Sequence, residues 1–277
     1  MRPAEVVRRA AGYLERHEVQ SPVPTAEALL AGVLGVSRID LYTREAGLSS
    51  AEARTFGRAL CLRCTGTPIQ HLTGEQGFRH LVLTVRPGVF IPRPETEILV
   101  QHALRAIEDL AEPTVVDVGT GTGAIALAIA DEHPGARIIA TDVSPEAVAL
   151  ATENAARLRL GVSVVRGDLF DGVDAMLCGA VDLVVSNPPY VEPDELPGLP
   201  ADVLADPEVA LAGDVEIYRR LFACAMEWLR PGGSAVVEIG ERRGAAVSAA
   251  AADAGLREVQ VLPDLVGRDR VVVGARP

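Results

Sequence analysis

The segment Ser186-Asn187-Pro188-Pro189-Tyr190 follows directly on the apolar run Val181-Asp182-Leu183-Val184-Val185. A strand that ends in this way carries a chemical reading. Pro188 and Pro189 have no N–H and a fixed φ, so the backbone must leave the sheet in a stiff, extended form. That stiffness aims the Asn187 side-chain carbonyl and the Pro188 backbone carbonyl into the space beyond the strand. Two converging acceptors suit an –NH2 group, and Tyr190 can cover a flat substrate face. Asn and Pro are also ordinary residues of a turn that ends a strand. The segment alone leaves both readings open.

A second constellation is Val115-Val116-Asp117-Val118-Gly119-Thr120-Gly121-Thr122-Gly123-Ala124, a strand running into a glycine-rich turn and then a helix. Glycines there let the backbone approach a ligand closely at the carboxyl end of a sheet. Asp142, ending the next strand, is placed to accept hydrogen bonds from ribose hydroxyls, and Asp168 stands at the corresponding end of the third. Ser144 caps the helix after Asp142, with Pro145 at its first position. Gly119-x-Gly121-x-x-Ala124 also satisfies the dinucleotide pattern, so the match by itself leaves NAD open.

Composition removes other chemistries. All 26 basic residues are Arg, which excludes Schiff-base and Walker-type lysine chemistry. The formal net charge of −12 argues against extended binding along a nucleic-acid backbone, which needs clustered positive charge. Cys61 and Cys64 form a C-x-x-C inside a helical pattern with no second pair at zinc-site spacing. With Cys178 and Cys224 they read as buried thiols. The five histidines are scattered, so no metal site is expected. Mean hydropathy is +0.22, yet no apolar run reaches the length of a membrane span. The opening Met1-Arg2-Pro3-Ala4-Glu5 leads into a charged amphipathic pattern rather than a signal peptide, so the expected location is cytoplasmic.

The elements that must position these residues fall into three stretches. Residues 1–67 read as a small helical domain, with helices over Ala4–Glu18, over Ala26–Leu34, and from the capping box Ser49-Ser50-Ala51-Glu52 to near Gly66. Residues 68–93 read as a β-hairpin linker, broken by Gly77 and Pro87-Gly88. Residues 94–277 open with a helix in which Pro94 takes the first helical position. Strands and helices then alternate, which predicts a parallel α/β sheet of seven strands. The last two, Glu258–Leu262 and Arg270–Val273, have too little chain between them for a crossover helix and should pair antiparallel.

That antiparallel ending tilts the cofactor toward S-adenosylmethionine, since it fits the methyltransferase version of the doubly wound sheet. Asp117 tilts it further. A carboxylate just before the turn can face the ammonium end of a methionine moiety but gains nothing beside a pyrophosphate.

With these motifs in order, the chain resembles the bacterial release-factor glutamine N5-methyltransferases (the HemK/PrmC family) over nearly its whole length. The resemblance runs through Pro24-Thr25-Ala26-Glu27-Ala28-Leu29-Leu30, Phe90-Ile91-Pro92-Arg93-Pro94-Glu95-Thr96-Glu97 and the glycine loop. It continues through Gly167-Asp168-Leu169-Phe170, Asn187 to Tyr190, Glu238-Ile239-Gly240 and Asp264 to Arg270. It implies a doubly wound, Rossmann-like class I S-adenosylmethionine methyltransferase sheet with a small N-terminal helical domain for substrate recognition. It also implies that Asp117, Gly119, Thr120, Gly121, Thr122, Gly123, Asp142, Asp168, Leu169 and Asn187 hold S-adenosylmethionine. S-adenosylhomocysteine would be the product. Asn187, Pro188, Pro189 and Tyr190 would hold the glutamine of a release factor's Gly-Gly-Gln loop, with Asn187 and Pro188 catalytic. Two departures stand out: the stretch Asp206–Asp214 lacks the family's usual second glycine, and Leu169 stands where some relatives carry Trp.

Three rival readings remain at this level. Amino-group methyltransferases acting on adenine or guanine also use Asn-Pro-Pro-Tyr, but the acidic balance disfavours them. A nicotinamide-dependent oxidoreductase leaves Asn187 to Tyr190 unexplained. A non-catalytic adapter leaves both constellations without a purpose.

Overall fold

The structure, a computed structural model, describes residues 1–277. The chain divides into two compact units, Met1–Glu75 with Leu199–Ala205, and Gln76–Gly198 with Asp206–Pro277.

The first unit holds α1 (Pro3–Arg16), α2 (Pro22–Leu34), α3 (Asp40–Thr43), α4 (Ser50–Cys64) and α5 (Ile69–Thr73). Val7, Ala10, Ala11 and Leu14 recur at helical spacing along α1 and are buried with Leu29, Leu30, Leu41 and Phe56. Helix α2 starts earlier than its apolar run suggests. Pro22 and Pro24 sit in its first turn, where N–H groups have no helical partner to lose. Ser49 and Glu52 form the expected reciprocal cap of α4. The expectation of buried thiols fails: Cys61 and Cys178 are exposed, and Cys64 and Cys224 only half-buried. On α4 only Phe56 is buried, and Cys61 lies about 140° around the helix from it.

A hairpin of β1 (Glu75–Phe78) and β2 (Leu81–Thr84) follows, all but its first residue in the second unit. Helix α6 spans Thr96–Ala106, so Pro94 is not its first residue. Thr96, Glu97 and Ile98 instead donate three residues back to Arg93, Pro94 and Glu95, a tight turn that delays the α-helix until Thr96. The linker before it is pinned by Asp206, which accepts the Ile91 N–H at 3.1 Å and pairs with Arg93.

There follow β3 (Thr114–Val118), α7 (Ala124–Glu132), β4 (Arg137–Asp142), α8 (Pro145–Leu158), β5 (Val162–Arg166) and β6 (Val181–Ser186). Then come α9 (Glu208–Leu211), α10 (Val215–Trp228), β7 (Leu229–Glu238), α11 (Gly244–Asp253), β8 (Arg257–Pro263) and β9 (Asp269–Ala275). The seven-stranded sheet runs β5-β4-β3-β6-β7-β9-β8, parallel except for β9, which is antiparallel to both β7 and β8. This is a doubly wound sheet with the antiparallel final pair that the short link between the last two strands predicts. Successive strand residues face opposite sides. Val115, Leu183 and Val185 therefore join the core under α6 and α7, while Val116, Val118 and Val184 join the core under α10 and α11.

Strand order reverses between β3 and β6, and a crevice at that switch point, beyond the carboxyl ends of the strands, is where open α/β sheets bind ligands. Val118 pairs with Ser186, and Ser186 Oγ donates to the Val118 carbonyl at 2.7 Å. The glycine loop and Asn187 therefore leave the sheet side by side.

Candidate active site

The glycine loop is held from below. The N–H groups of Gly119 and Thr120 both donate to the Thr141 carbonyl at 2.9 Å. Gly119 (φ +73°) and Gly121 (φ +56°) adopt the left-handed conformation, and no atom lies within 4 Å of where a Cβ would stand on either. The loop backbone is thus bare at both positions. Gly123 does something else: a Cβ there would stand 3.0 Å from Leu127 and 3.2 Å from Ala151, so its absence lets α7 pack close on α8. Thr122 is buried, and its carbonyl accepts from Asn154 Nδ2 at 3.0 Å.

Asp117 is fully buried at the end of β3. Its Oδ2 accepts from Thr120 Oγ1 at 2.6 Å and from the Ala126 N–H at 3.2 Å. Oδ1 is buried with no hydrogen-bond partner. Burial pushes this carboxyl up to about 7, against the lowering effect of the two hydrogen bonds. A buried, unpaired oxygen on a carboxyl group is costly and suits a cationic donor arriving from outside. Asp142 closes the same space: Oδ2 accepts the Gly121 N–H at 2.8 Å and Oδ1 the Ser144 N–H at 2.9 Å. Burial raises its pKa as well. Bare glycine backbone, an orphaned carboxyl oxygen and a second carboxylate one strand away fit a ligand with an ammonium group and vicinal hydroxyls.

The other side of the crevice belongs to β6. Asn187 is half-buried and Pro188 buried. Asn187 Nδ2 donates to Thr96 Oγ1 at 3.1 Å, which leaves Oδ1 as the end able to accept from a substrate. The segment beyond is clamped. Val191 donates to the Leu211 carbonyl and accepts from Gly213 N–H, both at 2.9 Å, and a Cβ on Gly213 would collide with the Pro189 carbonyl. The Tyr190 ring rests on Gly240, whose Cβ would stand 3.3 Å from Cδ2 of the ring. Burial, and then the charge of Glu238, push the Tyr190 hydroxyl up to about 12, so the ring stays neutral.

The structure gathers Asp117, Gly119 to Gly123, Asp142 and Asn187 to Tyr190 at the carboxyl ends of β3, β4 and β6. Asp168 is arranged differently: it is exposed and pairs with Arg220 at 2.5 Å. Leu169 sits in the left-handed conformation (φ +52°), and its carbonyl accepts from Thr141 Oγ1 at 2.7 Å. Thr96 and Glu238, to which no sequence motif assigns a role, are buried beside Asn187. A carboxylate at the end of the apolar run Ala235-Val236-Val237 was the available signal for Glu238. No group of His, Cys, Asp and Glu is placed to hold a metal ion.

Comparison with known proteins places this geometry in context. The family model described as the Methyltransferase small domain matches residues 81–200, and that of the PrmC N-terminal domain matches residues 5–74. A release factor glutamine methyltransferase from Moorella thermoacetica is 42% identical, over 98% of this chain and 96% of the relative. One from Deinococcus radiodurans is 39% identical, over 100% and 99%. Among solved structures, the hMettl16 catalytic domain superposes with a TM-score of 0.58 at 16% identity, covering 82% of each chain, a likeness of fold alone.

Proposed function

The chain belongs to the release factor glutamine methyltransferase family, and from that premise we propose that it methylates N5 of the glutamine in the Gly-Gly-Gln loop of a peptide chain release factor. The observation that supports this most strongly is the Val118–Ser186 register, which sets a methionine-compatible carboxyl pocket beside the paired acceptors Asn187 and Pro188. Asp117 Oδ1 would take the ammonium group, Asp142 the ribose hydroxyls, and the backbone of Gly119 and Gly121 would lie against the ligand.

A primary carboxamide nitrogen is a poor nucleophile because its lone pair is delocalised into the carbonyl. S-adenosylmethionine, when bound, supplies an electrophilic sulfonium methyl. The protein must supply alignment and lone-pair availability. Asn187 Oδ1 and the Pro188 carbonyl each accept one N–H of the substrate amide, turning its lone pair toward the methyl. Positive charge grows on that nitrogen during transfer, so both acceptors bind the transition state more strongly than the ground state. The N-methylated amide then loses its proton readily, which removes the need for a general base. Tyr190, neutral and packed on Gly240, forms a wall for the flat amide.

The test is incubation with methyl-labelled S-adenosylmethionine and, in parallel, purified release factor or RNA. Label on the side-chain nitrogen of the Gly-Gly-Gln glutamine, located by mass spectrometry, is the expected result. Label on RNA, or on another residue, would refute the reading. No helix is long and apolar enough to cross a membrane, and none is needed for such a substrate.

A further inference from the structure

Glu238 ends β7 inside the protein, 1% exposed, and its Oε2 has no hydrogen-bond partner. The mechanism above gives it no work, yet burying a carboxyl is expensive. Register puts it beside the reacting segment. Ser186 pairs with Val237, so Asn187 and Glu238 are the next residues on neighbouring parallel strands. Thr96, 3% exposed at the start of α6, completes the group: its Oγ1 accepts from Asn187 Nδ2 at 3.1 Å, and the Thr96 and Asn187 side chains both favour the ionised Glu238 carboxyl.

The direction of these bonds decides the chemistry. An asparagine amide has an accepting end, Oδ1, and a donating end, Nδ2, of nearly equal shape. Only Oδ1 can receive an N–H of the substrate. A threonine hydroxyl alone does not choose between them, because it donates to one as easily as it accepts from the other. An ionised carboxylate only accepts. With Glu238 accepting from Thr96, the Thr96 lone pairs are left to face Asn187 Nδ2, and a carboxylate that meets Asn187 directly can likewise accept only from Nδ2.

We propose that Glu238, together with the Thr96 hydroxyl, is the positioning residue that holds the Asn187 amide with Oδ1 toward the substrate. The proposal rests on the reading of Asn187 Oδ1 as the acceptor for the substrate amide. Charged and titratable groups from the neighbouring elements act on Glu238. Arg270 from β9 is 9% exposed, with Nη2 3.5 Å from Asp264. Glu95 precedes α6, Tyr190 follows β6, and Tyr218 of α10 donates its hydroxyl to the Glu238 backbone carbonyl at 3.2 Å. Burial pushes the Glu238 carboxyl up to about 7; Thr96, Arg270 and Asn187 pull it down, and Glu95 opposes them. Protonation gives Glu238 a donor of its own, and the ordered chain of donors is then lost. The productive arrangement is therefore present above that value and lost as pH falls through it.

The experiment combines kinetics with an amide signal that needs no substrate. In wild type, kcat should fall about ten-fold on acidification through an apparent pKa near 7, with KM for release factor steady, the effect of one misdirected hydrogen bond. Glu238→Gln should flatten that profile at its low plateau. Thr96→Val should lower kcat about ten-fold at pH 8 and Thr96→Ser should restore it, a rescue that a packing role for the methyl group would not produce. In 15N-asparagine-labelled protein, the Asn187 side-chain NH2 resonances should titrate with the same midpoint, and not in Glu238→Gln. Asn187 resonances that ignore Glu238 would overturn the inference, as would wild-type kcat in Thr96→Val where Asn187→Ala is impaired. If the resonances titrate as expected while Asn187→Ala keeps full turnover, the catalytic reading of Asn187 fails and the positioning stands.

Discussion

Asp117 and Asn187 carry the two halves of the proposed chemistry, and each is exposed to a direct test. Asp117 is buried, with a carboxyl pushed up to about 7 against an ordinary value of 3.8. Below about pH 4 both folded and unfolded chains hold the proton. Between there and pH 7 the unfolded chain ionises first, so folding takes up a proton and stability falls as pH rises; above pH 7 the loss is complete. Asp117→Asn should remove that slope and raise the stability of the free protein at pH 8 by on the order of 1–3 kcal/mol, read by chemical denaturation at pH 5 and pH 8. Glu238 adds a slope of the same sign, which the variant should retain. The same substitution should weaken S-adenosylmethionine in calorimetry, because the ammonium group loses its counter-charge. A variant no more stable at pH 8 would contradict the assigned burial cost. Asn187→Ala removes one acceptor whose benefit is greatest in the transition state. Its kcat should fall by roughly 10²–10³-fold with cofactor affinity intact; undiminished turnover would remove Asn187 from the mechanism.

At the scale of elements, the site depends on two parallel strands ending at matched positions and on a clamp that keeps the exit from β6 in place. The Val118–Ser186 pairing brings the loops together. The clamp is Gly213, whose missing side chain leaves room for the Pro189 carbonyl. The obstructing atom is backbone, so an added methyl cannot be relieved by a rotamer change. Gly213→Ala should therefore displace the Asn187–Tyr190 segment and lower kcat by about 10²-fold, the usual result of a shift near 1 Å at a reacting group. S-adenosylmethionine affinity should stay within about two-fold, since its pocket is built on β3 and β4. Calorimetry beside steady-state kinetics separates the two, and equal losses in both would show that the clamp supports the whole crevice.

At the scale of the molecule, two units each have a core of their own. The apolar cluster around Leu14, Leu30 and Phe56 draws only on residues before Glu75, and both clusters flanking the sheet draw only on residues after it. We propose that the first unit serves recognition of the release factor, with the chemistry in the second. Deleting residues 1–67 should leave S-adenosylmethionine binding within about three-fold. Methyl transfer to a full-length release factor should fall at least about ten-fold, through loss of a second attachment, while transfer to a short Gly-Gly-Gln peptide is unchanged. Undiminished transfer to the intact release factor would exclude that role.

Contiguous features were legible in the sequence because their physics is local. Alternating and helical spacing marked every strand of the large sheet and its longer helices, the short link between the last two strands dictated their antiparallel pairing, and the glycine loop and Asn187-Pro188-Pro189-Tyr190 could be read where they stand. Local rules also set limits. Pro94 reads as the first helical residue, yet the turn pinned by Arg93 and Asp206 moves that start to Thr96. A C-x-x-C in a helix does not say which face it lies on. What only the tertiary structure decided is which distant residues meet. Thr96 reaches Asn187 across 91 positions of sequence, Asp168 finds Arg220 across 52, and Leu199–Ala205 joins the first unit. Strand order and register make these meetings, and neither leaves a periodic trace in the residues concerned. The orphaned oxygen of Asp117 and the buried carboxyl of Glu238 likewise became visible only once the strands around them had excluded water.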